Sequence, residues 1–218
     1  MEKIGSYSFR QGGSDEITSD TLLLADFIPP LIASDSVIDI GAGCGALSLL
    51  LAAGNAEVKI TAIEVLPGRA EVMRSNIKVN SLSRRLSVFN VDYRTISKKF
   101  PNGAFTHVVT NPPYMKKGTG RASPIFEREA ARSEVFGGLR DLISVSAHLA
   151  GSGGGLYIIF PALRFTELLG ELQSRGLRPV RVKFIHPRKE APACRVLVEA
   201  RHGPWDESEI VEGPVYLR

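Results

Sequence analysis

The feature that most limits the fold of this chain is the alternation of short apolar segments with segments of helical length. Val37–Ile40 and Val58–Ile63 have the length and composition of buried strands, and the segment from Pro67 to Asn80 has the length of a helix. Strands that alternate with helices form a parallel sheet that helices cover on both faces. The predicted strands are 37–40, 58–63, 86–91, 105–109, 156–160, 180–185 and 195–200.

The alternation ends at the last two predicted strands. No helical segment separates Val180–Ile185 from Arg195–Ala200, so we expect them to pair as a hairpin with one strand running antiparallel. The sequence thus predicts an α/β fold with a Rossmann-like, seven-stranded, mostly parallel sheet, a C-terminal antiparallel hairpin and helices on both faces. We expect residues 35–218 to form this domain and residues 1–34 to form an N-terminal cap segment.

A short helix is predicted inside the N-terminal cap segment. Apolar residues at helical spacing run from Thr21 to Ile28, and Pro29-Pro30 ends the pattern. Ser19 or Asp20 is the expected N-cap, because short polar side chains accept hydrogen bonds from the first free N–H groups of a helix.

Composition and cysteine spacing narrow the class of protein. The chain has 218 residues, a net charge of +4 and no apolar run of about 18 residues, so we expect no transmembrane helix. Its N-terminus lacks the basic segment and apolar core of a signal peptide. Cys44 and Cys194 lie far apart and form no disulfide or zinc-binding pattern, and the histidines form no metal-binding set. We therefore expect a cytoplasmic protein without a metal site.

A glycine-rich turn follows the first predicted strand of the sheet. In the segment Asp39-Ile40-Gly41-Ala42-Gly43-Cys44-Gly45, the three glycines let the backbone turn tightly and approach a ligand closely at a helix N-terminus. The GxGxG spacing differs from the GxGxxG of dinucleotide-binding proteins, and no glycine-rich loop has the Lys-Ser/Thr ending of a phosphate-binding loop. By itself, the turn is equally consistent with a structural role. Its candidate cofactor-binding glycines are Gly41, Gly43 and Gly45.

Three carboxylates at successive strand ends strengthen the prediction of a cofactor site. Asp39 can accept a hydrogen bond from a ligand amine, Glu64 can hold both hydroxyls of a ribose, and Asp92 can accept from an adenine amino group. The alternative for each is that a strand-end acid caps the next helix. Ligands bind at the carboxyl ends of strands in such sheets, so the glycine turn and the three acids together predict S-adenosyl-L-methionine as the cofactor.

The segment Asn111-Pro112-Pro113-Tyr114 follows the fourth predicted strand. An amino group on an aromatic ring or a carbonyl is a poor nucleophile, because its lone pair is delocalised. The Asn111 side-chain oxygen and the Pro112 carbonyl can accept from such an amine, and the prolines stiffen the turn. Tyr114 can stack on a planar base. As an isolated string this segment is typical of a plain turn, but at the end of this strand it predicts catalytic roles for Asn111, Pro112 and Tyr114, with Asn111 also beside the cofactor.

Basic residues are concentrated after this segment. Residues 116–132 have a local net charge of +3 and residues 164–201 one of +5. Scattered basic residues are typical of solvated surface, but RNA would be attracted to such a face. The loop after Tyr114 is either a surface connection or a clamp over a substrate backbone. The candidate substrate-binding residues are Pro113, Tyr114, Lys116, Lys117, Arg121 and Arg132.

Taken together, these motifs resemble those of class I amino-methyltransferases, which act on adenine N6, glutamine N5 or guanine N2. The N-terminal segment from Phe9 to Ala25 narrows the resemblance to the bacterial tRNA1(Val) adenine-N6 methyltransferase family, whose members modify an adenine in the anticodon loop. The segments Ala130–Glu134 and Phe184–Ala200 are similar as well, so the resemblance covers nearly the whole chain.

This resemblance implies a set of roles. Asp39, Gly41, Glu64 and Asp92 would bind S-adenosyl-L-methionine, and Asp20 would close over the cofactor from the cap segment. Asn111 and Tyr114 would hold the target base. The implied activity is N6-methylation of an exposed adenine in RNA, with tRNA as the expected substrate.

Three other functions stay open from the residues. The same motif accepts the glutamine amide of a protein substrate, although enzymes of that kind usually have a larger N-terminal recognition domain than the roughly 36 residues found here. It also accepts the guanine N2 amine of ribosomal RNA, although those enzymes often duplicate the domain. A non-enzymatic, cofactor-binding RNA-binding protein is the fourth possibility, and an intact Asn-Pro-Pro-Tyr segment disfavours it.

Overall fold

The computed structural model describes residues 2–4, 7–10, 18–112, 138–204 and 209–217. Its strands are β1 (Glu2–Ile4), β2 (Tyr7–Phe9), β3 (Ser36–Ile40), β4 (Lys59–Ile63), β5 (Leu86–Phe89), β6 (His107–Thr110), β7 (Gly155–Pro161), β8 (Leu177–His186), β9 (Arg195–His202), β10 (Ile210–Val211) and β11 (Val215–Tyr216). Its α-helices are α1 (Ser19–Phe27), α2 (Ala46–Gly54), α3 (Pro67–Val79), α4 (Leu139–Ala150) and α5 (Phe165–Gln173), and 3₁₀ helices cover Tyr93–Lys98 and Ala162–Arg164.

Most of the strands form one mixed sheet in the order β10-β8-β9-β7-β6-β3-β4-β5, with β11 also paired to β8. The neighbours from β5 to β7 pair in parallel, and β9 runs antiparallel to both β7 and β8. This arrangement confirms the predicted Rossmann-like sheet of seven strands with its C-terminal antiparallel hairpin. The short strands β10 and β11 extend the sheet beyond β8 and were not predicted.

Several element boundaries differ from the predictions by a few residues, and two of these differences have a clear local reason. Thr18, rather than Ser19 or Asp20, is the N-cap of α1; its backbone is extended and its side chain accepts from the N–H of Thr21. Strand β8 begins at Leu177, three residues before its predicted start, and therefore includes Pro179. The register of its pairing with β9 shifts directly after this proline. Proline has no N–H with which to continue the ladder, so the strand accommodates it as an irregularity.

Helices bury both faces of the sheet. Helices α1, α2 and α3 pack one face through residues such as Leu24, Leu49 and Met73, while α4, α5 and the first 3₁₀ helix pack the other. The alternation along β7 shows the division, because Tyr157 belongs to the first core and its neighbour Ile158 to the second.

Asn76 of α3 and Asn80, the C-cap of this helix, dock the N-terminal hairpin that β1 and β2 form. The Asn76 amide accepts from the backbone N–H of Arg10 at 2.8 Å and donates to its carbonyl at 2.9 Å. Asn80 makes the same pair of bonds with Ser8, both at 2.7 Å. Asn76 also donates to the Cys44 carbonyl at 3.0 Å, so the hairpin is held beside the glycine-rich turn.

Candidate active site

The parallel strands bring the predicted site residues to one side of the sheet. Strands β3 to β7 run in the same direction, and the residues that follow them lie along what we call the carboxyl edge. Asp39 belongs to β3, Glu64 directly follows β4, and Asn111 directly follows β6. Strand β3 pairs with both β4 and β6, so these three positions are neighbours across the sheet. Ligands bind at this edge in open α/β folds.

Glycine is required in the turn after β3. Gly41, Gly43 and Gly45 have φ angles of 75°, 57° and 91°, a left-handed conformation that side chains disfavour. A Cβ atom on Gly45 would lie 2.8 Å from Cγ of Met73. Gly45 is also the N-cap of α2 and has no side chain with which to cap it. The N-terminus of α2, which favours negative charge and ligand acceptor groups, therefore opens at the carboxyl edge.

Asp39 is a buried acid with an altered proton affinity. It is 2% exposed and accepts a 2.7 Å hydrogen bond from the Ser48 hydroxyl. Burial raises the pKa of Asp39 to about 7; the Ser48 bond opposes this shift and the negative charge of Glu64 adds to it. A cationic ligand group beside Asp39 would favour its ionised form. A perturbed acid in a ligand-binding position is typical of functional sites.

Glu64 joins the end of β4 to the glycine turn. It is 4% exposed, and its carboxylate accepts from the N–H of Gly43 at 2.9 Å and from that of Leu66 at 2.7 Å. Asn90 donates to the carbonyls of Glu64 and Val65, which holds the same backbone in place. Glu64 thus has a fixed position at the carboxyl edge, and Asn90 supports it although the sequence patterns did not single it out.

Asp92 caps the next helix, which is the alternative role that the sequence left open for each strand-end acid. It is the N-cap of the first 3₁₀ helix and accepts from the backbone N–H of Arg94 at 2.9 Å. The Arg94 guanidinium also pairs with it. Partial burial pushes the pKa of Asp92 upward, but the hydrogen bonds and charge of Arg94 outweigh this and hold the pKa below its usual range. Its contact with adenine stays a prediction.

Asn111 contacts the cap segment. Its Nδ2 donates to Oγ1 of Thr21 on α1 at 3.3 Å. The Thr110 hydroxyl, one position earlier, donates to the Ile40 carbonyl at 2.9 Å and ties the end of β6 to the end of β3. Asn111 and Pro112 are half-buried. The other predicted substrate-binding positions, Pro113, Tyr114, Lys116, Lys117, Arg121 and Arg132, lie outside the described residues.

An ion pair also anchors α1 at the carboxyl edge. The Arg195 guanidinium donates to the Asp20 carboxylate at 2.9 Å. Arg195 is the first residue of β9 and lies opposite Pro161, the last residue of β7. The sequence patterns did not identify Arg195 or Thr21, because their partners are 175 and 90 positions away. The closure of Asp20 over a cofactor stays a prediction.

Comparison with protein families identifies the domain. The family of the methyltransferase small domain matches residues 9–160 of this chain. The chain belongs to this family. The carboxyl edge, with its glycine turn and strand-end residues, is therefore the candidate active site of a methyltransferase domain.

Relatives with curated names are similar over most of this methyltransferase chain. The tRNA1(Val) (adenine(37)-N6)-methyltransferase of Shewanella sp. strain MR-4 is 26% identical over 214 residues, which are 94% of this chain and 89% of the relative. The Cronobacter sakazakii protein of the same name is 31% identical over 160 residues, which are 72% of this chain and 64% of the relative.

Solved structures share the fold of this methyltransferase domain. That of a predicted O-methyltransferase from Agrobacterium tumefaciens has a TM-score of 0.70 and 26% identity and covers 90% of this chain and 86% of its own. A geranyl diphosphate C-methyltransferase from Streptomyces coelicolor, in complex with S-adenosyl-L-homocysteine, has a TM-score of 0.62 and 13% identity, with coverages of 84% and 78%. The named reactions differ in the accepting atom, so the fold leaves that atom undetermined.

Among the described residues, no group of three or more His, Cys, Asp or Glu side chains is arranged to hold a metal ion. In the same part of the chain, no helix is both long and apolar enough to cross a membrane.

Proposed function

We propose that this methyltransferase transfers a methyl group from S-adenosyl-L-methionine to N6 of an exposed adenine in tRNA. The observation that carries the proposal is the position of Asn111, which directly follows β6 and is adjacent across the sheet to the glycine turn after β3. The relatives named tRNA1(Val) (adenine(37)-N6)-methyltransferase support the choice of acceptor and RNA.

The described residues fit S-adenosyl-L-methionine. The backbone of Gly41, Gly43 and Gly45 can approach the ligand closely, and Asp39 would accept from its ammonium group. Glu64 would accept from the ribose hydroxyls, and Asp92 from the adenine amine. When bound, the cofactor supplies an electrophilic methyl group on a sulfonium.

Asn111 and Pro112 would prepare the acceptor nitrogen. Two hydrogen bonds from the adenine amine, one to Oδ1 of Asn111 and one to the Pro112 carbonyl, would localise the nitrogen lone pair and aim it. Because the sulfonium methyl is already electrophilic, catalysis by this chain's residues is mainly alignment. Tyr114 would stack on the base, which is typically worth ~1–3 kcal/mol.

The RNA must present its target base outside the helix stack. N6 of a stacked adenine cannot reach a buried edge, so the substrate would be a loop base or a flipped base.

Arg188 and Lys189 are exposed in the β8–β9 turn, which lies at the carboxyl edge, and would contact the phosphate backbone. Residues 1–34 would form the cap over the cofactor. We place this reaction in the cytoplasm, where unmodified tRNA is available.

Methylation of unmodified total tRNA with labelled S-adenosyl-L-methionine, followed by nucleoside mass spectrometry, tests the proposal. N6-methyladenosine in the tRNA is the expected product, and Asn111→Ala protein is the negative control. Label in ribosomal RNA or in protein would overturn the substrate while retaining methyl transfer. Cofactor binding without transfer to any acceptor would favour the non-enzymatic alternative.

A further inference from the structure

The side-chain amide of Asn111 faces an orientation problem. A primary amide has an acceptor oxygen and a donor nitrogen at nearly identical positions, and rotation about its terminal torsion exchanges them. Only the oxygen can accept from an amino group, so the flipped amide would set an NH2 group against the amine of the substrate. A residue that binds the nitrogen end of this amide therefore favours the orientation in which Asn111 can accept from the substrate amine.

Thr21 is placed to bind the nitrogen end. Its Oγ1 lies 3.3 Å from Nδ2 of Asn111 and 3.1 Å from Oγ1 of Thr18. The Thr18 hydroxyl oxygen also accepts from the backbone N–H of Thr21 at 3.3 Å. When Thr21 donates its single hydroxyl proton to Thr18, its lone pairs remain to accept from the Asn111 NH2 group.

The threonine is also rigid. Thr21 is 7% exposed, and a β-branched side chain has few rotamers in a helix. Helix α1 is held at both ends, by the Asp20–Arg195 ion pair at its start and by the Arg181 guanidinium, which donates to the Phe27 carbonyl, at its end. The hydroxyl therefore has a fixed position relative to β6.

We propose that Thr21 is a positioning residue that holds the Asn111 amide with its nitrogen toward α1 and its oxygen toward the amine of the substrate. This inference rests on the proposed function of Asn111. Helix α1 would then have a specific part in the reaction: it would fix which end of the Asn111 amide faces the amine of the substrate.

Isosteric and conservative variants separate this role from simple packing. Thr21→Val keeps the shape and removes the hydroxyl, whereas Thr21→Ser keeps the hydroxyl. We expect kcat of Thr21→Val to fall about tenfold, the equivalent of one hydrogen bond, with the Kd of S-adenosyl-L-methionine unchanged within twofold. Thr21→Ser should retain at least half of wild-type kcat. The matched control is Thr106→Val at the amino end of β6, where the Thr106 hydroxyl bonds to Ser36; it should lower Tm and leave kcat unchanged.

A double-mutant cycle with Asn111→Asp gives a second readout. A carboxylate has two equivalent oxygens, so it has no donor end to misplace, and Thr21→Val should change the activity of Asn111→Asp protein by less than twofold. If Asn111→Asp has no measurable activity, the valine–serine pair decides alone. Equal losses in Thr21→Val and Thr21→Ser, or unchanged kcat in Thr21→Val, would overturn the inference. Wild-type protein that methylates no adenine in tRNA would instead overturn the proposed function, so the two failures are distinguishable.

Discussion

Buried carboxylates in two regions of the same sheet have neighbours of different charge: Glu199 in one region, and Asp39 with Glu64 in the other. Glu199 on β9 accepts from the guanidinium groups of Arg181 at 3.0 Å and Arg201 at 2.8 Å, and from the Tyr157 hydroxyl at 3.3 Å. Asp39 at the carboxyl edge accepts from a neutral hydroxyl, and its pKa is raised by burial and by Glu64. Glu199 is therefore paired with cationic side chains, whereas the charged neighbour of Asp39 is another carboxylate, Glu64.

The difference separates structure from function. Cations bonded to a buried acid stabilise the fold, because they compensate for the lost hydration of the acid. Two acids close together lower stability and favour a positively charged ligand. S-adenosyl-L-methionine carries positive charge on its sulfonium and its ammonium group. The carboxyl edge is therefore expected to govern binding and transfer, while the Glu199 network governs stability.

Removing the Asn111 side chain is the strongest test of this separation. Asn111→Ala should lower methyl transfer by at least about 100-fold, since the loss of a preorganised group at a reacting centre typically has this effect. Tm and the Kd of S-adenosyl-L-methionine should stay close to wild type. Single-turnover transfer and thermal unfolding would measure both, and loss of cofactor binding would contradict the assigned role.

Removing Glu199 should have the opposite pattern. Glu199→Ala removes the carboxylate that Arg181 and Arg201 share, while Arg181 keeps its ion pair with Glu212. Because both guanidinium groups are partly exposed, the free energy of unfolding should fall by about 1–2 kcal/mol. Transfer by the folded fraction at low temperature should stay within twofold of wild type. Urea unfolding checks the first expectation and initial rates the second. A large loss of activity with little loss of stability would mean that the network is part of the site.

Neutralising Asp39 should weaken binding and strengthen the fold. Asp39→Asn should raise the Kd of S-adenosyl-L-methionine about tenfold or more, as expected for a lost hydrogen bond to a charged group. The pKa of Asp39 is raised from 3.8 to about 7, so the folded protein binds more protons than the unfolded chain within this range. Wild-type stability should therefore decline as pH rises from about 4 to about 7.

Asp39→Asn should lack this component of the decline. At pH 8 the variant should be more stable than wild type by up to about 4 kcal/mol, because each pKa unit is equivalent to about 1.4 kcal/mol. Urea unfolding of both proteins at pH 5 and pH 8 measures the difference. Parallel pH profiles of the two proteins would show that Asp39 is already ionised in the free protein.

Proton release is a smaller effect of the same acid. With a pKa of about 7, Asp39 is half protonated at pH 7, and a bound cation would favour its ionised form. S-adenosyl-L-methionine should therefore displace about half a proton at pH 7 and bind several-fold more tightly at pH 8 than at pH 6. Calorimetry in buffers of different ionisation enthalpy measures the release, and Asp39→Asn is the control.

The smallest expected effect concerns RNA contacts away from the buried acids. Arg188→Glu should raise KM for tRNA about fivefold at low salt and less at high salt, because a phosphate contact is lost. Lys59→Glu is the matched control, since Lys59 is exposed at the start of β4, on the opposite side of the sheet. Equal effects of the two variants would remove the β8–β9 turn from the RNA-binding surface.

The elements most accurately predicted from the sequence were those with local signals. Strand β3 and the glycine turn were predicted because an apolar run and three glycines are adjacent in sequence. The left-handed φ angles at Gly41, Gly43 and Gly45 agree with the tight turn that was expected from the three glycines. The β8–β9 pairing was predicted from the missing crossover helix. Strands β10 and β11 were missed because two-residue strands have no periodicity to detect.

The site was predicted only in part, for a related reason. Residues at strand ends can be identified from the strands themselves, so the positions of Asp39, Glu64 and Asn111 at the carboxyl edge were predicted, while their roles stay predictions. Thr21 and Arg195 were not, because a hydrogen bond between residues 90 positions apart and an ion pair between residues 175 positions apart have no local pattern.

The sequence by itself determined the alternation of strands and helices and hence the edge at which ligands bind. It also determined the chemistry available at that edge, since parallel strands bring their carboxyl ends together regardless of the side chains that cover them. Only the tertiary structure decided the electrostatic state of that edge. The pKa of Asp39 depends on burial and on Glu64, and the Asn111 amide bonds to a helix residue that lies 90 positions earlier in the chain. Desolvation and hydrogen-bond polarity are properties of packed neighbours, so they arise only when the chain is folded.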